Sequence, residues 1–136
     1  MTYTATKPDS IPIPIQPSQL SCYVLNSASE TNLAVFIPWR NCRLAHAYTV
    51  VVGVVDGDGD MEIDLELNAA SGTEMMSITV AASAAVGDID EATVSSSSAC
   101  ANLNRENTAR DAVNIEVDGS TTGTGGVMLH MFFESD

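Results

Sequence analysis

The stretch VVDGDGDMEIDLEL, residues 54–67, sets Asp56, Asp58 and Asp60 at alternate positions and follows them with Glu62, Asp64 and Glu66. The first three fall at the first, third and fifth ligand positions of a helix-loop-helix calcium loop, whose carboxylates converge on a hard cation. The rest of that loop is missing. Its sixth position, where glycine permits the sharp turn, is Met61, and its twelfth, where a bidentate glutamate closes the cage, is Leu67. Met61, Ile63, Leu65 and Leu67 repeat every two residues with the acids between them, which is the period of a strand and not of a flanking helix. The residues therefore predict a β-hairpin, with Asp56-Gly57 and Asp58-Gly59 supplying the positive φ angles of a tight turn and the strand acids facing water. Calcium held by Asp56, Asp58 and Asp60 is the competing reading; a solvated acidic turn without a metal or other cofactor is the expectation.

Other chemistry is sparse. His46 and His130, the two histidines, lie in apolar stretches with no serine or cysteine nucleophile pattern nearby, and read as hydrogen-bonded strand residues. There is no G-x-S-x-G elbow, no HExxH and no clustered Cys/His ligand set. The glycine-rich GSTTGTGG, residues 119–126, lacks the lysine of a phosphate-cradling loop and reads as a long hairpin loop. Acids are numerous enough to supply a glycosidase pair, but only a folded cleft could set two of them at a catalytic separation. Catalysis is not expected, and no catalytic residue is assigned. Trp39, in IPWRN, has two readings: a cap over an open sandwich end, or an interface anchor with Arg40 beside it, since Trp and Arg are enriched at interfaces.

The elements that must carry these residues are strands. The chain has 136 residues, 45% hydrophobic and 17% charged, which suits one domain with a real core. Candidate strands fall at 19–26, 32–38, 42–55, 60–68, 73–81, 91–97, 112–118 and 126–134, separated by turn-forming residues, while 95–111 has room for a helical turn. Without crossover helices, parallel βαβ units are excluded, and the pattern predicts an all-β fold: an eight-stranded antiparallel β-sandwich, jelly-roll-like. The expected core is Leu44, Val50, Val52 and Val54, with Ile63 and Leu65 from the acidic strand. Met76, Ile78 and Val80 join it, as do Val113, Ile115, Val117, Val127, Leu129 and Met131. TVVVGVV is apolar on both sides, so spacing alone does not say which of its parities faces inward.

Residues 1–18 predict an extended N-terminal arm preceding the sandwich at 19–136. Four of the five prolines fall in PDSIPIPIQPSQ, which removes donors and fixes φ. Ile11, Ile13 and Ile15 stand among them and gain from burial against a partner. The net charge of −13 excludes a phosphate-binding surface, and so nucleic acid. That charge is uneven: residues 1–43 sum to +1 and 44–136 to −14, which suggests contact on one side and solubility on the other. Cys22, Cys42 and Cys100, an odd number without short spacing, predict free buried thiols. MTYTATKPDS lacks the basic start and apolar core of a secretory signal, and AYTVVVGVV is too short to span a bilayer as a helix, so no membrane partner is expected.

The order NLAVFIPWRNCRLAHAYTVVVG, an acidic turn, DMEIDLELN, MMSITVAASAAVGDID, an asparagine-rich loop and AVNIEVDGSTTGTGGVMLHMFF resembles small β-sandwich structural proteins of tailed bacteriophage virions. The likeness covers about residues 32–134 and departs from the family pattern at RENTARD, where a glycine-aspartate turn is usual. It implies a capsid decoration or cement protein, often trimeric in such virions, assembled in the host cytoplasm into the virion and bound to the major capsid protein lattice or another virion protein. A cement protein needs many small contacts multiplied by symmetry and no active site. The alternative is a tail or fibre-tip module that binds a host-surface glycan, linked to calcium at the aspartate turn.

Overall fold

The computed structural model describes residues 19–27, 35–36, 41–68, 72–101, 103, 111–119 and 124–135. The expected arm with Ile11, Ile13 and Ile15, and the pair Trp39 and Arg40, lie outside them.

The described chain is an all-β sandwich of two antiparallel sheets. One sheet is ordered β1-β9-β3-β6, from Gln19–Leu25, Thr124–Ser135, Cys42–Asp56 and Ile89–Glu91. The other is ordered β2-β8-β4-β5-β7, from Val35–Phe36, Val113–Asp118, Met61–Leu67, Thr73–Val80 and Thr93–Val94. The pairs β1 with β9, β2 with β8, β3 with β6 and β4 with β5 are nested, like one long antiparallel hairpin folded over itself.

Alternation explains the layers. Met61, Ile63 and Leu65 of β4, Ile78 and Val80 of β5, and Val113, Ile115 and Val117 of β8 all face inward. They meet Val24 of β1, Leu44, Val51 and Val55 of β3, and Val127, Leu129 and Met131 of β9. A short helix, α1 (Ser97–Ala101), begins where the Ser96 hydroxyl accepts the Ala99 N–H at 3.2 Å, an N-cap, and buries Ala99 and Cys100. The three cysteines are thiols outside any disulfide, Cys42 and Cys100 buried and Cys22 half-buried.

Four expectations need correction. The Asp-Gly stretch is not a hairpin: both edges of β3 are taken by β9 and β6, and both edges of β4 by β8 and β5, so the turn crosses between layers. The glycine-rich link likewise joins β8 in one sheet to β9 in the other. The expected strand at 91–97 is divided, with Ile89–Glu91 edging one sheet and Thr93–Val94 the other, because the chain changes layers at Ala92. This gives nine strands among the described residues in place of eight.

The fourth concerns β3. Val52 and Val54 are exposed and Val50 is half-buried, while Ala47, Thr49, Val51 and Val55 are buried. Leu44 pairs with Phe133 and His46 with Phe132, so Ala45 is an extra residue, a β-bulge. It moves the inward set from even to odd numbers, and a strand apolar on both sides accepts either.

Candidate functional site

The bulge at Ala45 decides what the first sheet shows to solvent. With the parity changed, His46, Tyr48 and Val50 point out, and pairing assembles them into rows. Gln19, Phe132 and His46 make one row, and Ser21, His130, Tyr48 and Glu91 the next. Tyr23, Met128, Val50 and Ile89 make the third, without a charge. Leu25 and Ile89 are 59% and 60% exposed, and Tyr23 is half exposed. The Tyr48 and Phe132 rings stack at 5.7 Å and 21°, with His130 against Tyr48 at 4.9 Å and His46 5.9 Å from Phe132. Polar groups border the rings. His46 Nε2 lies 2.8 Å from a Glu91 carboxylate oxygen, and His130 Nδ1 is 2.7 Å from the Ser21 hydroxyl and 3.2 Å from the Gln19 amide nitrogen. Both histidines are thus hydrogen-bonded strand residues, as their sequence positions suggested.

The outer face of the second sheet, by contrast, is acidic. Its rows read Asp118, Glu62, Thr79, then Glu116, Asp64, Ser77, then Asn114, Glu66, Glu74. Like charges directly opposite across strands are unfavourable, and the described strands of this sheet contain no Lys or Arg to offset them. Sequence alternation foretold Glu62, Asp64, Glu66 and Glu116. It did not foretell that Glu66 and Asn114 are only 5% and 4% exposed, so the expectation that the strand acids face water fails at Glu66. Glu66 lies on a central strand, with Asn114 of β8 on one side and Glu74 of β5 on the other.

Glu74 reaches this face through a second bulge. Met76, Ile78 and Val80 point inward, and unbroken alternation would send Glu74 in with them. Between Leu65 paired with Met76 and Glu66 paired with Glu74, Met75 is the extra residue, so Glu74 turns outward. Carboxylate oxygens of Asp64, Glu66 and Glu74 then lie within 4.8 Å of one another. One Glu74 oxygen accepts the Ser95 hydroxyl, and Asp64 accepts a side-chain hydrogen bond from Ser77. Asp64 Oδ1, Glu66 Oε2 and Asn114 Nδ2 are buried with no hydrogen-bond partner. Burial, and then the neighbouring carboxylates, push Glu66 above its ordinary pKa. Burial also raises Asp64, the Ser77 hydrogen bond opposing it and Glu74, Glu62 and Glu116 adding to the rise.

The aspartate turn does not form a comparable group. Asp56, Asp58 and Asp60 are exposed and do not converge, and Asp60 Oδ1 accepts the Ala82 N–H at 2.9 Å, tying the turn to the chain after β5. Among the described residues, the three-carboxylate group with ligand-like spacing is the one formed by Asp64, Glu66 and Glu74.

Comparison with protein-family models, with curated proteins and with solved structures finds no match.

Proposed function

We propose that this chain is a structural assembly protein that works by contact and not by catalysis, its outer β1-β9-β3-β6 face forming the interface with further copies of the chain. The observation that carries this reading is the charge-free row of Tyr23, Met128, Val50 and Ile89 on an open sheet face, with Leu25 and Val52 exposed nearby. Contiguous exposed apolar surface marks an interaction site. Association through this face also keeps the acidic faces of two copies apart, which matters for a chain of net charge −13.

The setting we propose is the virion, as a jelly-roll capsid decoration protein, trimeric and held on the major capsid protein lattice. The resemblance over about residues 32–134 suggests it, and the nested strand pairs and the two-faced sandwich are compatible with it. The proposed arm at 1–18, with Ile11, Ile13 and Ile15, and the pair Trp39 and Arg40 would supply the lattice contacts.

Light scattering on the full chain tests the interface: a trimer is expected, and Tyr23→Lys with Ile89→Lys should return it to monomer with an unchanged circular dichroism spectrum. A wild-type monomer at about 100 µM, a concentration at which a stable interface is occupied, overturns the reading. Presence of the chain in purified particles, and particle density matching the sandwich on the shell, tests the setting; its absence there removes it.

One observation favours a second reading as a host-glycan module: the stacked Tyr48 and Phe132 rings bordered by Gln19, His46, His130 and Glu91 offer an apolar platform with polar edges. Saturable glycan binding lost in Tyr48→Ala, by a chain that stays monomeric, would favour it.

A further inference from the structure

We propose that the Asn114, Glu66, Glu74 end of the acidic sheet face, together with Asp64, binds a calcium ion. The inference is independent of the assembly reading, because it concerns the opposite face of the sandwich.

The donor set points to a hard cation. Every candidate ligand is an oxygen, and no thiol or imidazole takes part, which disfavours zinc or copper. Oxygens around one calcium ion lie 2.3–2.6 Å from it, so two ligands on opposite sides are separated by about 5 Å. Carboxylate oxygens of Asp64, Glu66 and Glu74 lie within 4.8 Å of one another, inside that span.

A cluster of acids alone would say little, since acids gather on many solvated surfaces. Here a neutral residue adds an independent observation. Asn114 is directly opposite Glu66, on the face away from Val113, Ile115 and Val117, and its amide nitrogen Nδ2 is buried without a hydrogen-bond partner. A half-turn of the amide would put its carbonyl oxygen where the unpartnered nitrogen stands, beside Glu66. Burying an amide N–H without a hydrogen bond is unfavourable. Coordination would relieve that cost, and the unpartnered oxygens of Glu66 and Asp64 share the need.

The Met75 bulge fits this role. It turns a third carboxylate toward two others, which electrostatics opposes unless a positive charge sits among them. A bound calcium would then cross-link β8, β4 and β5, the three central strands of this sheet.

Calorimetric titration of the EDTA-treated full chain with calcium chloride tests the proposal, with magnesium chloride at equal ionic strength as the comparison. One saturable calcium site is expected, at least about ten-fold tighter than magnesium, because an all-protein oxygen cage suits the larger, more easily dehydrated ion. Glu66→Gln and Glu74→Gln should each weaken it at least about ten-fold, the order expected for loss of a charged ligand. Asp56→Asn combined with Asp58→Asn should leave it unchanged. Circular dichroism identifies any variant that fails to fold, and the other glutamate variant then carries the test. Absence of saturable calcium heat overturns the proposal. So does equal calcium and magnesium binding, which would mean diffuse screening of an acidic face. So does calcium binding that survives the glutamate substitutions or is lost in the turn variant.

Discussion

Glu74 stands directly opposite Glu66 because one residue, Met75, is inserted into β5 between the pairs that flank it. Two carboxylates that regular alternation would have put on different faces of the sheet thereby become neighbours, one of them buried. The outer surface of this layer therefore stores electrostatic stress at a known place.

Replacing Glu66 by Gln should relieve that stress when no divalent cation is present. The amide keeps the shape and removes one of the charges facing Asp64 and Glu74. A gain of about 0.5 kcal/mol is expected, the usual scale of a like-charged cross-strand pair. Urea denaturation in EDTA measures it; a loss of more than 1 kcal/mol, on the same cross-strand scale, would mean that the carboxylate is satisfied in solution.

Stability in EDTA should rise as the pH falls from neutrality. Asp64 and Glu66 have folded-state pKa values above their unfolded ones, as does Asp90, raised by burial and by Asp88. The folded chain therefore holds protons that the unfolded chain has released. Their ionisation penalty is fully present above the raised values and relieved as pH falls through them, the relief being complete below the ordinary carboxylate range near about 4. Glu62, Glu74 and Glu116 face the same groups and act in the same direction. Thermal melts between neutral pH and about 5, still above ordinary carboxylate values, should show an increasing midpoint. A flat or falling midpoint contradicts the assignment.

Thr49→Val should stabilise the chain. Thr49 is fully buried on the inward face of β3, and its hydroxyl has no hydrogen-bond partner. Valine has nearly the same shape without the unsatisfied group, so a gain of roughly 1 kcal/mol is expected in urea denaturation.

Gly125→Ala should do the opposite. Gly125 has φ of +84°, and a Cβ there would run into the carbonyl oxygens of Gly53 and Val54, where β9 meets the irregular end of β3. Both backbone strain and overpacking act against the variant, so a loss of at least about 2 kcal/mol is expected, read as a lower denaturation midpoint.

The alternation of Met61, Ile63 and Leu65 with acids, and of Val113, Ile115 and Val117 with polar residues, determined most of the fold by itself. A half-buried strand has one parity that can be buried, and these segments advertise it. The strands outside 89–97, the inward residues of β4 and β8 and the acids opposite them were legible for that reason. Which strands pair was not, since local pattern cannot say whether a turn joins neighbours in one sheet or crosses to the other. The aspartate-glycine turn had the residues of a hairpin, yet β9 and β6 hold both edges of β3. Nor does sequence reveal a bulge, because an extra residue has meaning only against the strand that lacks it. Two such residues set the surfaces: Ala45 turns His46, Tyr48 and Val50 outward, and Met75 brings Glu74 to Glu66. The β3 run TVVVGVV was apolar enough to face either way, while in β5 two adjacent methionines, Met75 and Met76, both turn inward and shift Glu74 out; in each case pairing across the sheet made the choice.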